Sequence, residues 1–174
     1  MTTYLHHTAA ALVAATLLIA GSAQAAPLTF DCDVPANSVS SVSNLAQTVP
    51  AIGGTITAKK FREGQLSPSA GVQIEAPDGK SIAGFVLRLS ASDPAVLEIM
   101  LVSNNNGKQE NFQAGTISAT GPIAFQLFVD DQGAINIVLN DQSWSAPFMR
   151  LIGGKEKAFC STGQFQFSDL RFSD

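Results

Sequence analysis

The 174-residue sequence predicts an all-β fold, a two-sheet antiparallel β-sandwich of about ten strands. Three observations carry that expectation. From Gly53 onward apolar and polar residues alternate with a period of two, and no apolar stripe of helical period persists. Short turns centred on Asp-Gly and Asn-Gly interrupt the alternation. The hydrophobic registers that those turns impose also agree with one another.

A two-residue turn at Asp78-Gly79 sets Ile74 against Ala83 and Val72 against Phe85. A turn at Asn106-Gly107 sets Asn105 against Lys108, Leu101 against Phe112 and Ile99 against Ala114. A three-residue loop at Asp131-Gln132-Gly133 sets Val129 against Ile135, Leu127 against Ile137 and Phe125 against Leu139. With Asp93 at the centre of the next connection, Leu89 faces Leu97 and Leu87 faces Ile99. Arg88 then stands opposite Glu98 as a cross-strand ion pair. That pairing accounts for the lone carboxylate in AVLEIMLV without assigning it chemistry.

Further strands are expected over residues 28–33, 54–61, 143–148 and 164–172. The last places Phe165 and Phe167 on one face, then shifts phase near Asp169 toward Leu170 and Phe172, the signature of a bulge. Residues 38–43 (SVSSVS) approach low complexity, and the chain shows no internal repeat.

The N-terminus reads as an export signal. Residues 9–21 (AAALVAATLLIAG) form an apolar run too short to span a bilayer, and Ala23-Gln24-Ala25 is an A-x-A cleavage site. The expected organisation is a signal peptide over residues 1–25 and a single β-sandwich domain over residues 26–174, secreted or periplasmic, without membrane insertion after cleavage. Both histidines, His6 and His7, and the only tyrosine, Tyr4, precede the cleavage site. The processed chain therefore lacks the commonest general base and every Ser-His or Cys-His nucleophile pair. Lacking tyrosine and having one tryptophan, it cannot furnish the aromatic girdles of a transmembrane barrel.

Cys32 and Cys160 are the only cysteines, at opposite ends of the domain. In an oxidising compartment they are expected to pair and to hold the first and last strands together. The net charge of −4 is dispersed, and Lys59-Lys60-Arg62 is the only basic cluster, so no nucleic-acid partner is implied. Hairpin tips at Asp78, Asn104 to Asn106 and Asp130-Asp131 offer hard oxygen ligands, but their spacing matches no compact calcium loop and turn chemistry accounts for them. No cofactor, metal or catalytic residue is assigned.

Residues 123–144 (IAFQLFVDDQGAINIVLNDQSW) resemble the strand–Asp–Gly–strand hairpin of concanavalin A-like, laminin-G-like jelly rolls, and QFQFSDLRF resembles their closing strand. That resemblance implies a jelly-roll sandwich and extracellular recognition. Members of the superfamily include lectins, glycan-binding modules, adhesion domains and glycan hydrolases. The bacterial glucanases among them carry a Glu-x-Asp-x-x-Glu strand motif, and this sequence has no such run.

The hairpin register places Gln126 opposite Val138 and Phe128 opposite Asn136 on the non-core face, with Asn140 next and Trp144 just beyond. Amides beside aromatic rings suit a neutral polysaccharide, which presents hydroxyls and apolar ring faces. Phe128, Trp144, Gln126, Asn136 and Asn140 are thus the candidate ligand-binding residues. The alternative for this face is that both rings are covered by another part of the chain. Three functions are in view: a non-catalytic module for glycan or another cell-surface polymer, an adhesion component meeting a protein partner through Val96, Met100 and Val102, and a glycan hydrolase. N-terminal sequencing of the exported protein is expected to begin at Ala26; a chain beginning at Met1 would restore the two histidines to the working molecule.

Overall fold

The computed structural model describes residues 26–174, so the expected leader over residues 1–25 lies outside the described residues. Ten strands and no helix are formed there. They are β1 (Leu28–Ala46), β2 (Ala51–Phe61), β3 (Ser69–Glu75), β4 (Ile82–Leu89), β5 (Val96–Asn105), β6 (Lys108–Ser118), β7 (Pro122–Val129), β8 (Ala134–Leu139), β9 (Gln142–Pro147) and β10 (Gly154–Phe172).

All pairings are antiparallel, and one hydrogen-bonded path runs β6-β5-β4-β3-β10-β2-β7-β8-β9, with β1 alongside β10. The path curls into two layers because β10 serves both. Its first half, Lys155 to Ser161, pairs with β3, and its second half, Gly163 to Phe172, pairs with β2. β1 makes the same change, laying Val39 to Ala46 along the first half and Leu28 to Val34 along the second. Both strands break at the corner, where Asn37 and Thr162 take left-handed backbone angles, φ 63° and 51°. Polar ties hold the corner. Asn37 N donates to Thr162 Oγ1 (3.2 Å), and the Arg62 guanidinium donates to Val34 O (2.8 Å) while pairing with Asp33 (2.7 Å).

Cys32 and Cys160 are bonded, with Cα atoms 6.1 Å apart. They are not cross-strand partners: Cys32 lies opposite Phe165, and Cys160 opposite Ser40. The bond therefore joins the β2-side half of the β1/β10 ribbon to its β3-side half, tying the two layers at the corner.

The inward side chains are those the alternation assigns. Val72, Ile74, Phe85, Leu87, Leu97 and Ile99 from one layer meet Ile123, Phe125, Leu127, Ile137, Leu139 and Phe165 from the other, all buried. Phe85 and Phe125 touch edge-to-face across the layers, centroids 5.9 Å apart. The expected registers of the Asp78-Gly79 and Asp131-Gly133 turns are all present, and so is Arg88 opposite Glu98, joined at 2.6 Å. The phase shift at Asp169 is a bulge with φ 51°.

The structure corrects two expectations. Ile99 faces Gly115 instead of Ala114, because β6 carries Ala114 as an extra residue between Gln113 and Gly115. The strands expected over 28–33 and 164–172 are each extended to 19 residues. SVSSVS belongs to β1, whose ladder with β10 needs only backbone groups, so small polar side chains do not exclude it.

A glutamate closes the far end of the corner strands. Glu156 is fully buried and accepts hydrogen bonds from Ala51 N, from Asn44 Nδ2 and from both the amide and hydroxyl of Ser173. It thus gathers β1, β2 and the C-terminal segment around one carboxylate. The disulfide closes a sequence separation of 128 residues, worth about 5 kcal/mol by chain entropy. Replacing both cysteines with serine is expected to lower unfolding stability by that order in urea titrations, and an unchanged midpoint would refute the role.

Candidate functional site

The site is built on the outer face of the layer containing β2, β7, β8 and the second half of β10. Alternation on β7 sends Ile123, Phe125, Leu127 and Val129 inward and leaves Ala124, Gln126 and Phe128 outward. One row across the sheet reads Arg171, Gly53, Gln126, Val138, and the next reads Ala51, Phe128, Asn136. Gly53 has no side chain to fill its place in the first row. The outer face therefore sinks into a trough of about 410 Å³, with Gln126, Asn140, Asp169 and Arg171 on its walls. An adjoining hollow of about 340 Å³ extends it over Ala51 to Phe128 and Phe172.

The candidate residues are not equally free. Gln126 is exposed, and neither it nor Arg171 is bound by an ion pair or side-chain hydrogen bond among the described residues. Phe128 is half-buried on the outer face. Asn136 commits its amide N–H groups to Asp130 Oδ2 (3.0 Å) and Ala134 O (3.2 Å), leaving its carbonyl. Asn140 occupies a left-handed turn position, φ 50°. Its Oδ1 accepts from Ala124 N (2.9 Å), so its amide N–H groups alone face the trough.

Trp144 is the exception among the five. A two-residue turn at Asn140-Asp141 pairs Leu139 with Gln142 and hence Ile137 with Trp144. Cross-strand partners share a face, and Ile137 is a core residue. Trp144 therefore points to the opposite side of the sheet from Phe128. It lines a separate, mainly apolar cleft of about 340 Å³ at the open side of the sandwich, with Leu101, Phe112, Ile135 and Ile137. The Asn-Asp pair was the sequence signal for that register, since Asn tolerates the left-handed angle such a turn requires. Gly53 and Arg171 are not legible in the sequence as partners of Gln126, because the pairings of β2 with β7 and of β10 with β2 join strands that no short turn connects.

Val96, Met100 and Val102 lie on the outer face of the other layer and are half-buried, with Met100 against Val86 and Val102 against Gly84. The larger apolar side chains left exposed include Val39, Leu45, Leu66, Phe112 and Ile152. Oxygen ligands at the hairpin tips are occupied locally: Asp78 accepts from Lys80 N, Asn104 from Gly107 N, and Asp130 from Gln132 N and Ala134 N. Among the described residues no three His, Cys, Asp or Glu side chains converge to hold a metal ion.

With this geometry the chain can be set beside known proteins. No family model matches it, and no curated protein matches it in sequence. Solved structures do match in fold. The carbohydrate binding module CBM66 from Bacillus subtilis superposes with TM-score 0.53 over 87% of this chain and 98% of its own, at 10% identity. A homodimeric agglutinin from chicken liver, CG-16, gives 0.51 over 78% and 100%, at 12% identity. An alginate lyase from Pseudomonas aeruginosa gives 0.54 at 9% identity over 73% of this chain, which spans 65% of the lyase chain. The fold is the concanavalin A-like jelly roll. Identities this low establish the architecture, and the same architecture here serves a binding module, an agglutinin and a lyase.

Asp130 fixes the β7–β8 hairpin that carries the trough. The Ala134 amide and then the Asn136 side chain hold its carboxyl below the usual range against the opposing effect of desolvation, with lesser help from the Gln132 and Gly133 amides. A folded-state pKa below the unfolded value of about 3.9 means stabilisation that is full above that value and is lost as pH falls through the lowered one. Asp130→Asn is therefore expected to lower the melting temperature at pH 7. The difference from wild type should close as the pH is taken below the Asp130 titration, and a constant difference down to acid pH would assign the effect to something other than the charge.

Proposed function

We propose that this chain is an exported, non-catalytic glycan-binding module, and that its ligand lies in the trough over Gly53. The observation that carries the reading is the composition of that trough. A half-buried aromatic, Phe128, stands beside the uncommitted amide of Gln126 and the guanidinium of Arg171, with the amide N–H groups of Asn140 on the same trough. An apolar surface with donors and acceptors around it matches a sugar ring, whose one face is C–H and whose rim is hydroxyl. Arg171 and Asp169 both line the trough, so its charges offset, which favours a neutral glycan.

Binding is favoured over hydrolysis on two grounds. Glycoside hydrolysis uses two carboxyls about 5–10 Å apart across the scissile bond, and the trough has a single carboxylate on its walls, Asp169. Residues 26–174 also contain no histidine or tyrosine to serve as an alternative acid or base. The fold likeness to a carbohydrate binding module and an agglutinin supports recognition of sugars. Export is supported by the disulfide, a bond that persists in oxidising compartments.

Stacking on one aromatic adds on the order of 1 kcal/mol beyond area burial, about fivefold in affinity. In calorimetric titration against the best neutral ligand from a glycan array, Phe128→Ala and Gln126→Ala should each weaken binding several-fold. Trp144→Ala should leave it unchanged, since that ring lies on the other side of the sheet. Full affinity in a folded Phe128→Ala, Gln126→Ala double variant would exclude the trough.

A further inference from the structure

The opposite outer face, on the layer of β3, β4, β5 and the first half of β10, carries a second trough of different charge. Across it Phe159 lies opposite Gly71, Lys157 opposite Gln73, and Ser69 opposite Arg88. A Cβ at Gly71 would stand 3.0 Å from the Phe159 ring and 2.4 Å from the Phe85 carbonyl oxygen. Only glycine lets the ring lie down on the sheet there.

That ring in turn places a cation. The Lys157 ammonium sits over Phe159, 5.6 Å from the centroid. A ring face attracts an ammonium without cancelling its charge, and Lys157 enters no ion pair among the described residues. Across the trough Arg88 is bonded to Glu98 but keeps its side chain 46% exposed. The trough measures about 510 Å³, and no carboxylate lines it. The remaining charges on this face, Lys155 and Glu75, are cross-strand neighbours of each other beyond Lys157 and Gln73.

We propose that this second trough is a binding site for carboxylate-bearing polysaccharide, with Lys157 as the anion-contacting residue and Gln73 and Ser69 meeting hydroxyls. It rests on the glycan reading for the nature of the ligand, but not on the first trough. A uronate carboxylate accepts a charge-assisted hydrogen bond from an ammonium already held in place, and an unbalanced positive trough discriminates against neutral chains. The two faces of the sandwich point away from each other, so a module with both sites occupied bridges two polymer chains.

The test uses the purified protein, polygalacturonate as the acidic probe and a soluble neutral glucan as the control, followed by calorimetry at low and high salt. Wild type is expected to bind polygalacturonate, more weakly as salt rises. Lys157→Gln should weaken that binding about fivefold, the upper range for one exposed ion pair, and Lys157→Glu more. Phe128→Ala, in the first trough, should leave it unaltered. The proposal is overturned if wild type does not bind polygalacturonate, or if Lys157→Glu, with native circular dichroism and an intact disulfide, binds it like wild type. It is overturned equally if Arg171→Gln removes acidic binding and Lys157→Glu does not. Loss of neutral-glucan binding in Phe128→Ala bears only on the first trough, so the two readings fail separately.

Discussion

The sandwich depends on the corner at which β1 and β10 pass from one layer to the other. Among the described residues every other strand belongs to one layer, and only this ribbon supplies strand-pairing continuity between the two. The turn is demanding, because Thr162 is β-branched and takes φ 51°, a conformation that costs about 1–3 kcal/mol and persists only where its surroundings enforce it. Those surroundings are present. Thr162 is fully buried, its hydroxyl accepts from Asn37, and the Cys32–Cys160 bond spans the same corner. Asn37 takes its own left-handed angle more cheaply, as asparagine does, and its Oδ1 accepts from the amides of Gln65 and Leu66, tying the corner to the segment after β2.

Once the corner holds the layers face to face, the division of labour between the two sides of each sheet follows. The inner sides are consumed by packing: β7 and β8 place alternate residues into the core, and β3, β4 and β5 answer them. The outer sides are left free of that packing, and there strands supply rows of side chains at fixed spacing; on the inner side only the cleft at Trp144 stays open among the described residues. Glycine shapes those rows. Gly53 opens one trough between Arg171 and Gln126, and Gly71 lets Phe159 lie flat and carry Lys157 in the other. Both troughs are thus built largely on sheet, and few conformational degrees of freedom would be lost if a polymer chain settled along them as proposed.

Local pairing was legible wherever a short turn joined its strands. Asp78-Gly79 and Asp131-Gln132-Gly133 dictate registers that the hydrophobic pattern confirms residue by residue, and Arg88 against Glu98 followed from the same counting. Errors arose where counting was interrupted. The extra Ala114 shifts the partner of Ile99 by one residue, and the two-residue turn at Asn140-Asp141 carries Trp144 to the side of the sheet opposite Phe128. A strand has period two, so one uncounted residue moves a side chain from one face to the other. The first half of β10 was hidden for another reason: Glu156 occupies a core position, and a buried carboxylate breaks the apolar alternation that marks a strand.

The sequence by itself determined the all-β class, most hairpin registers, the inward sets of β3, β4, β7 and β8, and the pairing of its only two cysteines. Each depends on contacts close in the chain or on a choice with one answer. Tertiary structure alone decided that β1 and β10 serve two layers, that the disulfide ties those layers instead of two facing residues, and that Arg171 meets Gln126 across Gly53. It likewise decided that Lys157 rests on Phe159 above Gly71 and that Glu156 finds its donors in Asn44, Ala51 and Ser173. These contacts join residues from distant parts of the chain, or depend on which strands lie side by side. Hydrophobic alternation states which face of a strand is buried but not which strand lies beside it, and the proposed binding surfaces are made of those neighbours.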